Sequence, residues 1–166
     1  METGKVIDAA VTYFEKDIKR ISHLLKVYGY AKAIGEVEQL DDFEMECLET
    51  AAVLHDIGIK ISEEKYHSSA GKYQEIEGPA VAEMILNRLG FDIKLIERVK
   101  YLIAHHHTYD EIKGLDYQIL VEADFLVNID EDNLNFKENR KEAIEKIKDN
   151  IFKTATGTKI LESIYL

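Results

Sequence analysis

The stretch from Leu48 to Lys60 constrains this chain most. Counting back from His55, the residues Ala52, Ala51 and Leu48 fall at offsets of three, four and seven, the spacing of one helical face. His55 therefore belongs to the buried stripe of a helix, in its last turn. Asp56 follows, turned about 100° further round the axis. Gly58 is placed to let the chain leave that helix in a left-handed conformation. An imidazole and a carboxylate leaving a core side by side suit two ligands of one metal ion. A hydrogen-bonded core histidine beside a surface aspartate would produce the same pair, so the rest of the chain has to decide.

At 166 residues, with 46% hydrophobic and 32% charged side chains, the chain can bury one sizeable core. We expect a single domain over residues 1–166, with the motif-bearing part at about 17–130 and a scaffold at 134–166. A single proline and nine glycines leave little room for a linker. The longest apolar run, Tyr117 to Val121, is far shorter than a membrane span. The amino terminus is mixed in charge and amphipathic, so no secretion signal is expected. The lone Cys47 cannot form an internal disulfide and lies on an apolar helical face, which fits a reducing, cytoplasmic compartment. A net charge of −11 argues against a large nucleic-acid surface, because phosphate backbones repel such a field. A small anionic substrate held against a metal and a few lysines remains compatible with it.

In chain order, Val6, Ile7, Ala10, Val11 and Phe14 predict a short amphipathic helix. A longer one runs from Asp17 to about Val37 with two apolar stripes, Ile18-Ile21-Leu25-Tyr28 and Val27-Tyr30-Ile34; His23 belongs to the second. Two stripes predict a central position for this helix. After a break at Leu40–Asp42, with Asp41 or Asp42 as cap, the helix Phe43–Asp56 delivers the His-Asp pair. Ile59 to Gly78 reads as a long polar loop, of the kind that lines or covers sites. Pro79 then opens a helix at its favoured first turn, ending at Gly90. Asp92 caps the next, which runs into His105-His106-His107. Histidines there can also serve as C-terminal cations against the helix dipole.

The segment Tyr117–Ile129 carries two acids in an apolar helix. Asp124 shares a face with Leu120 and Val127, where a carboxylate is costly unless a metal or a buried histidine meets it. Glu122, about 200° away, shares its face with Gln118 and is the easier one to solvate. The remainder reads as a charged helix through Phe136, Ile144, Ile147 and Ile151, and a short one after Gly157.

The order His23, His55-Asp56, Asp124 on an all-α chain resembles the HD superfamily of metal-dependent phosphohydrolases. The resemblance covers roughly His23 to Ile129 and is strongest at Leu54-His55-Asp56-Ile57-Gly58 and Glu122-Ala123-Asp124. It implies a single-domain helical bundle with one divalent ion (Mn, Fe, Co, Ni or Mg) held by His23, His55, Asp56 and Asp124. Imidazoles and carboxylates without a thiolate suit such an ion, with positions left for water. Asp56 would both ligate and orient that water, and the ion would lower its pKa and polarise a phosphoryl oxygen. Where some members place an intermediate histidine, this chain has Gln74-Glu75-Ile76-Glu77, which argues against a second metal. His105-His106 resembles the later paired histidines of some multinuclear members; one of the two is expected to face the substrate.

The reading that follows is a phosphohydrolase that cleaves a phosphomonoester or nucleotide by metal-activated water. Lys60 is the first choice for a phosphate contact, with Lys72 and Tyr73 second, and Asp56, Lys60, His105 and His106 are the catalytic candidates. The alternatives are a non-catalytic metal- or nucleotide-binding module, or another hydrolase or hydratase on the same scaffold. The partner implied is a small phosphorylated substrate with no membrane, and a Tyr-rich helix leaves a homodimer open.

Overall fold

A computed structural model describes residues 2–137 and 139–166. The architecture is all-α. Among the described residues there are nine helices and no strands: α1 (Thr3–Phe14), α2 (Ile18–Val37), α3 (Asp42–Leu54), α4 (Ile59–Tyr66), α5 (Gly71–Arg88), α6 (Ile93–His105), α7 (Leu115–Asp130), α8 (Arg140–Ile151) and α9 (Ala155–Tyr165). None is long and apolar enough to cross a membrane.

The caps follow the sequence. The Asp17 carboxylate accepts from the Arg20 backbone N–H at the start of α2, and Asp92 does the same for Lys94 at α6. Asp41 and Glu44 form a reciprocal capping box that starts α3. Gly90 takes φ +80°, the left-handed conformation that ends α5.

The centre of the bundle is α3 rather than α2. All ten positions from Met45 to Leu54 except Glu46 are buried, and α3 packs on α1, α2, α6 and α7. A helix that is apolar almost all round must be surrounded. On α2, by contrast, Ile18 and Leu25 of the supposed first stripe face solvent at 72% and 41% exposure. Only the side bearing Ile21, His23, Leu24, Val27 and Ile34 is buried, against α3 and α7.

The polar stretch Ile59–Gly78 is not a long loop. It forms α4, a four-residue turn, and the first half of α5, so Pro79 sits inside a helix instead of opening one. Its missing N–H forgoes a single bond to the Glu75 carbonyl. The helix persists because its polar half buries Gln74 and Gly78 and packs on α4 and α6. Gly58, expected in a left-handed conformation, is right-handed (φ −79°, ψ −7°). Glycine is needed there for another reason. A Cβ at Gly58 would lie 2.5 Å from the Gly78 backbone nitrogen, so the turn after the His-Asp pair presses directly on α5.

The carboxyl-terminal helices are corrected in detail. Phe136 precedes α8, and α9 begins at Ala155, before Gly157. Glu122, expected to be solvated, is fully buried and anchors the start of α9. Cys47 is a buried free thiol whose pKa burial pushes up to about 12, so it is an inert packing residue.

Candidate metal centre

One helix end and two helix faces converge at the middle of the bundle. His55 closes α3, and Asp56 follows in the turn that Gly58 holds against α5. His23 comes from the buried side of α2, and Asp124 from the apolar face of α7. His23 Nε2 lies 3.2 Å from His55 Nε2. Asp124 Oδ1 is 3.2 Å from the first and 3.4 Å from the second, and Asp56 Oδ2 is 3.3 and 3.4 Å from them.

The tautomers follow from the other ring nitrogens. His55 Nδ1–H donates to the Ala52 carbonyl at 2.7 Å, and His23 Nδ1–H donates to Glu131 Oε1 at 2.6 Å. In the neutral rings both Nε2 atoms are therefore lone pairs, aimed at each other and at two carboxylate oxygens. Such a cluster is repulsive unless something positive stands among its members. In the metal-free protein protons take that role. Burial opposes charging His55 and His23, but the carboxylates of Asp56 and Asp124 outweigh it and raise both imidazole pKa values, His55 the more. Burial likewise acts against ionising Asp56 and Asp124, yet their imidazole partners hold both well below the usual carboxylate range.

His23, His55 and Asp56 offer ligand atoms close enough to share one divalent ion, and Asp124 Oδ1 lies within 3.4 Å of both imidazoles. Two ligands each about 2.1 Å from a shared ion at right angles stand about 3 Å apart, and the observed separations are close to that edge. The set is two imidazoles and two carboxylates without a thiolate, which suits a first-row divalent ion or Mg²⁺.

A second group adjoins the first. His106 closes α6 and donates Nδ1–H to the Ile103 carbonyl at 2.6 Å. Its buried Nε2 has no hydrogen-bond partner and faces Asp56 Oδ1 at 3.5 Å. His107 lies next to it, with Nε2 3.3 Å from Gln74 Oε1. Burial, and then the neighbouring His106, lower the His107 pKa to about 4, so this ring is neutral at ordinary pH. The turn bearing both is pinned by Tyr117, whose hydroxyl donates to the His105 carbonyl at 2.6 Å.

The cluster opens into a polar cleft of about 380 Å³ whose lining includes Lys19, Arg20, Gln74, Tyr109, Phe125 and Glu131. Of the residues singled out in the sequence, His23, His55, Asp56, Asp124 and His106 come together at the cluster, and His23, Asp56 and Asp124 of these line the cleft. His105 does not: it donates Nδ1–H to the Tyr101 carbonyl at 2.7 Å and stacks on the Tyr101 ring. Lys60 does not either. It is exposed on α4, over the ring of Tyr13 at 5.2 Å. Lys72 and Tyr73 stand beside the cleft rather than in its lining, Tyr73 stacked on Tyr66 and Lys72 over Tyr73. The reason is the helical course of residues 59–66 and 71–88, which turns those side chains outward. Arg20, Asn128 and Glu131 were missed, although each is in helical register with a candidate ligand: three residues before His23, and four and seven after Asp124.

A helical bundle with a buried His/Asp cluster open to a polar cleft defines a class, the all-α proteins with a candidate metal site. The sequence model of the HD domain matches residues 20–155, and the chain belongs to that family. A crystal structure of a predicted HD superfamily hydrolase from an uncultured Thermotogales bacterium superposes with a TM-score of 0.68 at 26% identity, covering 96% of this chain and 83% of the other. None of the curated proteins matches.

Proposed function

We propose that this chain is a divalent-metal-dependent phosphohydrolase acting on a small phosphomonoester, nucleotides included, in the cytoplasm, and that residues 1–166 form a single functional domain. The observation that carries the reading is the convergence of four lone-pair atoms, from His23, His55, Asp56 and Asp124, at mutual distances of 3.2–3.4 Å for the pairs that meet. These four residues would hold one ion. When bound, that ion would supply Lewis acidity towards a phosphoryl oxygen and lower the pKa of a water molecule.

The remaining work falls to the side chains. Asp56 turns one oxygen to the histidine pair and the other to His106, so it is placed to orient a water molecule between them. His106 Nε2, with a free lone pair, is placed to take a proton from that water and to return one to the leaving oxygen. Gln74 and His107 form a neutral hydrogen-bonding wall. Arg20 and Lys19, rather than Lys60, supply positive charge at the mouth for a phosphate. Tyr109 and Phe125, with ring centroids 5.2 Å apart, give an apolar wall for the organic part of the substrate.

The test is metal analysis of the purified protein and its His55→Ala variant, with a screen of nucleotides and sugar phosphates under Mn²⁺, Co²⁺, Ni²⁺ and Mg²⁺. About one equivalent of metal, lost in the variant, and phosphate release are expected. Metal retention by His55→Ala would remove the coordination proposed. Metal binding without turnover of any phosphate ester would favour a binding module or a hydratase.

A further inference from the structure

We propose that Glu131, in the turn that ends α7, positions His23 for metal binding, and that Asn133 and Asn128 tie this carboxylate to Asp124 in one hydrogen-bonded circuit. The proposal rests on the metal-centre reading above.

The histidines of the site are oriented in different ways. His55 and His106 stand at helix ends and donate Nδ1–H to carbonyls three residues back in their own helices, Ala52 and Ile103. His23 lies inside α2, where the preceding carbonyls are engaged in the helix's own bonds. Its acceptor must come from another element, and Glu131 provides it at 2.6 Å. This is the one ring of the three oriented by a full negative charge, which fixes the tautomer and makes Nε2 the more basic ligand atom.

Glu131 is itself held in place. Its side chain is only 12% exposed, Lys26 Nζ donates to Oε2 at 3.2 Å, and Asn133 Nδ2 donates to Oε1 at 3.3 Å. Asn133 Nδ2 also lies 3.0 Å from Asn128 Oδ1, and Asn128 Nδ2 donates to Asp124 Oδ1 at 3.0 Å. Since Asp124 Oδ1 faces His23 Nε2 at 3.2 Å, the path closes on the ring where it began. The turn is clamped from outside by Arg140, which pairs with Asp132 at 2.6 Å and donates to the Ile129 carbonyl at 3.1 Å. The circuit thus couples a ligand from α2 to a ligand from α7 through a surface turn.

The experiment is calorimetric titration of Mn²⁺ into the metal-free full chain, comparing wild type, Glu131→Gln and Glu131→Ala. Metal-free urea unfolding of each and the long-range ¹H–¹⁵N imidazole spectrum of the Zn²⁺-loaded protein complete it. Glu131→Ala should weaken Mn²⁺ binding roughly 10–100-fold, with Glu131→Gln between it and wild type because the amide oxygen can accept the hydrogen bond but carries no charge. The His23 ring should keep one tautomer in wild type and lose it in Glu131→Ala, while metal-free unfolding stays cooperative. Affinities equal to wild type in both variants would overturn the proposal. So would loss of cooperative unfolding in both, whereas a Glu131→Gln that binds like wild type while Glu131→Ala does not would support positioning through the hydrogen bond alone. A wild-type protein that takes up no divalent ion would instead sink the metal reading on which this rests.

Discussion

Thr154 Oγ1 donates a 2.6 Å hydrogen bond to Glu122 Oε1 across 32 residues of sequence. The backbone N–H groups of Lys153 and Thr154 both donate to Oε2 at 3.1 Å, so a buried carboxylate from α7 satisfies the amides that lead into α9. Two residues further on, Asp124 faces the opposite way, into the histidine cluster. One helix therefore carries two buried acids with different tasks. Glu122→Ala is expected to lower stability by roughly 1.5–3 kcal/mol, the cost of leaving those donors unmet, and to leave metal content unchanged. Asp124→Asn should cut metal affinity and phosphate release, and its metal-free cost should appear at about pH 5–6, where the carboxylate faces the protonated imidazoles of His23 and His55. Urea unfolding and metal analysis of both variants check this.

Lys60→Ala should leave kcat and KM within about twofold of wild type, since Lys60 faces Tyr13 and its cation–π contact contributes no more than about 1 kcal/mol at an exposed position. Arg20→Ala should raise KM several-fold with metal content intact. Arg20 lines the cleft, three residues before His23, and is held there by Asp17 at 2.9 Å and by Glu63. Steady-state kinetics on the best substrate of the screen decide between the two cations.

His106→Ala should lower kcat by about 10²–10⁴, the range of a lost general acid–base group, because the only buried imidazole nitrogen without a partner among the described residues is removed. His105→Ala should change kcat little and cost stability instead, through the lost stacking on Tyr101. Parallel rate and melting measurements distinguish adjacent histidines that the sequence presents alike.

The pH dependence of the metal-free protein follows from the cluster. His23 and His55 have raised pKa values, so their stabilisation is fully present below about pH 6.5, the unfolded value, and is lost as the pH rises through the folded ones. Asp56 and Asp124 have lowered values, so theirs is present above about pH 4 and lost as the pH falls. Stability without metal should therefore be greatest between about pH 4 and 6.5. Added Mn²⁺ should stabilise more at pH 8 than at pH 5, because the imidazoles must lose their protons to bind it. Urea titrations at the two pH values, with chelator and with Mn²⁺, measure both slopes.

Local chemistry determined much of this protein. Helical periodicity placed α1, α2, α3, α6 and α7 and set His23, His55 and Asp124 on inward faces, because a helix repeats every 3.6 residues whatever surrounds it. Aspartates and a glycine marked helix ends because they satisfy or release backbone groups on the spot. What local pattern could not carry was decided by packing between distant segments. The polar residues 59–66 and 71–78 are helical because they are pressed between neighbours, with Gly58 against Gly78, and that turned Lys60, Lys72 and Tyr73 away from the cleft. Glu122 is buried because α9 arrives with unmet donors, and His106 faces Asp56 while His105 does not because the turn after α6 is tied to Tyr117. Each of these depends on a partner 10 or more residues away or on another helix, and such partners meet only once the bundle has closed.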